Sequence, residues 1–178
     1  MAAACEPMLK PQTPTLLEQL FWAHHERVLR AAYRVTGNMA DAEDVAQTVF
    51  IRLAGAKEEI TNPESYLYRA AINGALDVIR KRKGEVELDV ALDIASSSPH
   101  LSPERQMSSR ELRQWLRREL GKLNAAQAEL FVLRYIEERD NAEIAKMCGT
   151  SRASVAVRLH QIRAKLKKQF QRFMRGEL

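Results

Sequence analysis

Four times along this chain, a side chain able to accept from a backbone N–H stands at the head of an apolar stretch with helical spacing. Thr15-x-x-Glu18 and Asp140-x-x-Glu143 have the form of reciprocal capping boxes, and Asn124-x-x-Gln127 is the amide version. Asn62-Pro63 sets a cap before a proline at the first helical position. Each device satisfies donors that only the start of a helix leaves open. A chain punctuated in this way is predicted to be all-α. Its composition agrees: aromatic residues make up 6% of the chain, with 7 Gly and 6 Pro, which poorly supports long sheets joined by tight turns.

The caps divide the chain. Residues 1–14 carry no helical pattern and read as a disordered tail without the charged-then-apolar order of a signal peptide. A first helix after Thr15 is predicted to turn Leu16, Leu17, Leu20, Phe21, Val28, Ala31, Ala32 and Val35 inward, with Gly37 closing it. Asn38 caps a second helix, Met39 to about Ala54, with Val45, Val49 and Leu53 on one stripe. A third, from Pro63, carries Leu67, Ala71, Leu76 and Ile79 inward and ends in the basic cluster Arg80–Lys83. Gly74 inside it costs about 1 kcal/mol relative to Ala and has no functional reading. Residues 84–102 are acidic, contain a Ser run and show no sustained period. Helix resumes at Ser102-Pro103-Glu104 and stops at Gly121. The prediction is two small helical domains, 15–83 and 103–174, joined by a flexible acidic linker over 84–102, the second domain being a helix-turn-helix.

Charge is distributed unevenly. Residues 84–104 hold five acids and no base, whereas 105–178 hold 17 basic and 8 acidic residues. From Ser151 to Arg175 there are eight Lys or Arg and no acid. That asymmetry points to a polyanion partner for the C-terminal third. No apolar run approaches the ~20 residues needed to span a bilayer, so no membrane insertion is expected. Cys5 and Cys148 are far apart with no zinc spacing, and read as reduced thiols of a cytoplasmic protein. Cys148 would report redox state if exposed; a buried apolar contact is the expectation. His24-His25-Glu26 suggests a metal, yet adjacent helical residues point about 100° apart and cannot chelate as a unit. The other two histidines, His100 and His160, are scattered. No metal, cofactor or catalytic residue is called for, and the chain does not read as an enzyme.

The most informative segment is Asn141 to Leu166: a short helix, a Gly-containing turn and a longer basic helix. Val155, Leu159, Ile162 and Leu166 step by four, three and four and form a stripe to bury. The other side carries Arg152, Ala153, Ala156, Val157, His160, Gln161 and Lys167, flanked by Arg158, Arg163 and Lys165. Such a helix can enter a major groove with its N-terminal positions at base edges and flanking bases on phosphate. Charge alone fits a solvated basic helix equally well. Glu143-Ile144-Ala145 followed by Gly149 favours the DNA reading, since Ala145 permits close helix approach and Gly149 the sharp turn.

Residues 123–170, containing LNAAQAELFVLRYIEERDNAEIAKMCGTSRASVAVRLHQIRAKL, resemble the promoter-binding domain of bacterial sigma factors. Residues 41–53, DAEDVAQTVFIRL, resemble the polymerase-binding helix of that family, and 63–83, PESYLYRAAINGALDVIRKRK, its adjoining DNA-opening helix. The order, the acidic linker and the small size resemble the extracytoplasmic-function group of the sigma-70 family. The resemblance covers most of residues 16–172.

It implies a protein that binds core RNA polymerase and directs promoter recognition, DNA opening and transcription initiation. Asp41, Asp44, Gln47 and Phe50, stepping by three along one helix edge, are expected to dock on the polymerase clamp; helix-terminus electrostatics is the plainer reading of Asp41 and Glu43. Tyr66, Arg69, Asn73, Asp77 and Arg80 are expected to hold the minus-ten element, with the loop Lys57–Asn62 walling a pocket for a flipped base. The usual family Trp is Tyr66 here, which keeps a stacking face; core packing is the alternative for Tyr66 and Tyr68, and holds for one of them. Ser151, Arg152, Ser154, Val157, Arg158, His160, Gln161, Arg163 and Lys165 are expected at the minus-thirty-five duplex. This helix departs from the family in Ala153, Ala156, Val157 and Gln161, so fewer cations read bases; Gln161 could pair with adenine. Asn124 replaces a common Pro. Core RNA polymerase and promoter DNA are the implied partners, an anti-sigma factor is admitted, and the free chain is expected to be a monomer or 1:1 with a partner. The rival is a stand-alone helix-turn-helix regulator, which leaves DAEDVAQTVFIRL unexplained.

Overall fold

The computed structural model of the protein describes residues 14–56, 60–82 and 103–176, with side chains from Ser109 onward in the last stretch. The expected tail, the linker and Lys57–Glu59 of the pocket loop fall outside the described residues, save Pro14. Within them the chain is helical and no strand occurs.

The N-terminal group comprises α1 (Leu16–Thr36), α2 (Met39–Ala54) and α3 (Pro63–Arg82). Its caps form as the spacing predicts. Thr15 Oγ1 accepts from Glu18 N at 3.3 Å while Glu18 Oε2 accepts from Thr15 N at 2.6 Å. Asn38 Oδ1 accepts from Asp41 N at 3.1 Å, and Asn62 Oδ1 from Ser65 N at 2.9 Å. Gly37 ends α1 at φ 69°, a left-handed conformation that Gly adopts without a Cβ penalty. The helices meet over Val28, Ala31, Ala32 and Val35 of α1, Val45, Ala46 and Val49 of α2, and Leu67, Ala71, Ile72, Ala75 and Leu76 of α3, all buried. The alanines let the backbones approach closely. Leu16 and Leu17 depart from the predicted inward stripe, being 72% and 37% exposed, because the first turn of α1 runs past the cover of its neighbours.

The C-terminal group comprises α4 (Pro103–Gly121), α5 (Ala125–Phe131), a π-helical turn at Val132–Ile136, α6 (Asn141–Cys148) and α7 (Arg152–Met174). Trp115 of α4 is buried against Phe170 and Phe173 near the end of α7, with ring centroids 5.2 and 5.7 Å away. Leu120, Leu130, Leu133, Ile144 and the α7 stripe complete its core. The wide turn closes where Glu137 N donates to Val132 O at 2.9 Å, five residues back.

The two groups pack together, with α3 lying against α4 and α5. Gly121 of α4 permits one close approach: a Cβ there would meet Ile79 Cγ2 at 3.4 Å.

Candidate nucleic-acid interface

The helix-turn-helix is held by local bonds. Asp140 Oδ1 accepts from Ala142 N and Glu143 N at 2.7 and 2.8 Å, and Glu143 Oε2 accepts from Asp140 N at 2.9 Å. The N–H groups of Glu143 and Ala142 hold the Asp140 carboxyl below its usual range. Gly149 ends α6 at φ 61° with open space around it, so backbone conformation is what calls for Gly there. Ser151 Oγ then accepts from Ser154 N at 3.1 Å and starts α7.

Burial of Val155, Leu159, Ile162 and Leu166 fixes the rotation of α7. Ser151, Arg152, Val157, Arg158, His160, Gln161, Arg163 and Lys165 are consequently all exposed, and Ser154 is half-buried beside the cap. These side chains wrap the outward side of α7, with Arg152 and Arg163 along one flank, Arg158 and Lys165 along the other, and Val157 and Gln161 between them. This outward position suits a groove-reading helix.

On α3 the expected stripe is divided. Tyr66 is exposed and Tyr68 buried, so Tyr68 is the core residue of the pair. Asn73 is half-buried, and Asp77 and Arg80 pair with each other at 2.7 Å. Arg69 is turned into the C-terminal group: its Nε lies 2.6 Å from Glu129 Oε1 and its Nη1 donates to Met147 O at 3.0 Å. The Glu129 carboxylate raises the Arg69 pKa further. Burial, then the adjoining Glu137, pushes the Tyr68 phenol far up.

On α2, Asp44 and Gln47 are exposed, while Arg82 Nη2 of α3 lies 2.9 and 2.8 Å from the two oxygens of Asp41. Phe50 is buried, its ring 4.9 Å from that of Phe21. The predicted single edge is thus corrected. Residues three apart drift by about 60° per step around an α-helix, so Asp41 and Phe50 end on opposite sides. Trp22 on α1 is an exposed aromatic residue that sequence reasoning missed, at 80% exposure beside the partly buried Phe21; Tyr135, 40% exposed, is another. For Trp22, its place one residue off the Phe21 position of the inward stripe was the available signal.

His25 packs against the Phe21 ring at 4.6 Å, and both neighbouring histidines are half-buried. Among the described residues no group of three His, Cys, Asp or Glu side chains could hold a metal ion, and no helix is long and apolar enough to cross a membrane. Cys148 is half-buried; burial, then nearby Glu129, pushes its thiol up.

Comparison with known proteins bears directly on this architecture. Residues 20–85 match the family model for Sigma-70 region 2, and residues 113–166 that for Sigma-70 region 4. The ECF RNA polymerase sigma factor SigW of Bacillus subtilis is 29% identical over 157 residues, covering 82% of this chain and 84% of the relative. The RNA polymerase sigma-E factor of Streptomyces coelicolor is 30% identical over 155 residues, covering 85% and 84%. The ferric citrate uptake sigma factor FecI of Escherichia coli is 29% identical over 140 residues, covering 78% and 81%. The chain belongs to the extracytoplasmic-function group of the sigma-70 family, whose members are sigma factors directing promoter recognition and transcription initiation.

Proposed function

We propose that this sigma factor divides its work between the two groups of helices. Residues 15–83 act as region 2, anchoring to core RNA polymerase and capturing the melted minus-ten strand. Residues 103–174 act as region 4, reading the minus-thirty-five duplex through α7. Residues 84–102 connect them as an acidic linker. The observation carrying this reading is the outward, acid-free face of α7, set by four buried residues and a capped turn.

In this reading Asp44 and Gln47, with Asp41 at the head of α2, contact the polymerase clamp. Tyr66 offers an exposed ring to an unstacked base, and Asn73, Asp77, Arg80 and Arg69 line the strand beside it. Arg152, Arg158, Arg163 and Lys165 take phosphates; Ser151, Ser154, Val157, His160 and Gln161 face the groove. The protein catalyses no reaction of its own and needs no cofactor. It works in the cytoplasm, as a monomer or 1:1 with a partner, and an anti-sigma factor would act by covering the polymerase-binding surfaces. Two short reading surfaces gain affinity only when polymerase fixes their spacing, so the isolated protein binds promoter DNA weakly.

Reconstitution with core RNA polymerase on genomic DNA, followed by mapping of transcript starts, tests the reading. The expected result is a discrete set of starts sharing two upstream elements, lost when Asp44 and Gln47 are both changed to Ala. Failure to associate with core, or starts unaltered by the protein, overturns it.

A further inference from the structure

The side of α7 that points most directly away from the core is apolar, although the helix is basic. Val157 and Ala164 each lie about 170° around the helix from the midline of the buried stripe Val155, Leu159, Ile162 and Leu166, and Ala153 about 150°. All three are exposed, Val157 at 58%. The cations Arg152, Arg163, Arg158 and Lys165 stand lower on the two flanks, about 50° to 90° from that midline. The hydroxyls at the head of the helix are engaged with one another: Ser151 Oγ lies 2.9 Å from Ser154 Oγ and accepts from Ser154 N at 3.1 Å. Val157 is the longest side chain of the apolar crest. It is also the sixth residue of α7, in the N-terminal part that a groove-reading helix sets against base edges.

A branched apolar side chain at the floor of a major groove discriminates by what it does not offer. The amino groups and acceptors of adenine, guanine and cytosine lose water against Val157 and gain no partner from it. Thymine presents a C5-methyl group that the other bases lack. Burial of one methyl group between the base and Val157 gains about fourfold in affinity. The flanking cations remain free to hold phosphates and set the depth of the helix.

We infer that Val157 selects one thymine of the minus-thirty-five element, reading it through the 5-methyl group and not through a hydrogen bond. The inference rests on the proposed contact of α7 with that duplex and names the chemical group read there. Gln161 stands one turn further along and about 40° around the helix, so it meets a different base pair and the two residues fail separately.

The test uses holoenzyme assembled from the full chain and core RNA polymerase, on duplex promoters taken from its mapped transcript starts. Deoxyuridine replaces each thymidine of the minus-thirty-five element in turn, on either strand, which removes only the methyl group. Competition binding and run-off transcription at limiting holoenzyme are the readouts. At one position the uridine change is expected to cost about fourfold. Val157→Ala is expected to lose about as much on the thymidine promoter and to use both templates alike. With cytosine at that position, 5-methylcytosine is expected to restore part of the activity for the parent and none for Val157→Ala. The site is exposed and Ala favours helix, so the variant keeps its fold, and circular dichroism checks this. Absence of any methyl-sensitive position overturns the inference, and so does a sensitivity that Val157→Ala leaves unchanged. Arg158→Ala on the same templates scores the underlying reading separately. If it alters neither promoter use nor salt dependence, the contact of α7 with this duplex falls. If it weakens every template alike while uridine costs nothing, only the role of Val157 falls.

Discussion

Gly74 of α3 lies directly over Val45 of α2: a Cβ built on Gly74 would stand 3.0 Å from Val45 Cγ1. A glycine in mid-helix costs about 1 kcal/mol relative to Ala, and this contact accounts for its presence. Val45 is buried and branched at Cβ, so its methyls have little room to move. Gly74→Ala is expected to destabilise the protein by about 1 kcal/mol, overpacking outweighing the gain in helix propensity. In a Val45→Ala background the same change should become stabilising. Urea midpoints for the four members of this double-mutant cycle measure the sign reversal; additive effects would contradict it.

Asp140 gives the helix-turn-helix a defined acid sensitivity. Its carboxyl sits below the ordinary Asp value because backbone N–H groups of Glu143 and Ala142 bind it, bonds absent from the unfolded chain. A group whose folded pKa is depressed contributes stability above its unfolded pKa and loses it as pH falls through the folded one. The loss therefore falls below about pH 4. Asp140→Asn keeps an acceptor at the cap and removes the titration. Its urea midpoint should fall less steeply with acid than that of the parent, and parallel acid limbs would rule the assignment out.

The two tryptophans should behave oppositely. Trp115 is buried between α4 and α7, and Trp115→Ala should cost about 3–5 kcal/mol through the cavity it leaves. Trp22 is 80% exposed, and Trp22→Ala should shift stability by no more than about 0.5 kcal/mol. Thermal unfolding followed by circular dichroism compares them. A large loss from Trp22→Ala would show that its ring supports the fold.

On α7, Arg158 and Gln161 are both exposed, yet they should fail in different ways. Arg158→Ala removes a phosphate contact in the proposed complex. It should weaken all promoters alike and lower the salt slope of binding by about 1. Gln161→Ala should alter preference at one base pair of the minus-thirty-five element, by about 1–3 kcal/mol. Transcription from a panel of single-base promoter variants, with the polymerase holoenzyme at two salt concentrations, separates the two. Identical profiles would remove Gln161 from base reading.

What the sequence announced is what its neighbours decide. The caps at Thr15, Asn62, Asn124 and Asp140 were legible because each bonds to backbone within three residues. The α7 stripe was legible because burial along one helix has a period. The edge Asp41–Phe50 misled because a step of three holds only over one turn, and the drift accumulates. Choosing Tyr68 over Tyr66 as the core residue required knowing where Arg27, Arg139 and Glu137 come to rest around its ring. The purpose of Gly74 depends on Val45, and the engagement of Arg69 depends on Glu129, 60 residues away. Contacts over such separations leave no local mark in composition or spacing.

The π-helical turn at Val132–Ile136 has a consequence for chain length. Residues eight apart on a regular α-helix, such as Glu129 and Glu137, project about 80° from each other. A turn closed across five residues absorbs one residue, or about 100° of rotation, and returns the two carboxylates to nearly one line facing the N-terminal group. Their alignment therefore depends on the turn staying wide. Rewinding the same residues as ordinary helix would swing Glu137 about 100° away from Tyr68 and Arg34, leaving Glu129 to hold α3 alone. Deleting one residue would instead let the segment rewind with the two carboxylates still about 20° from one line.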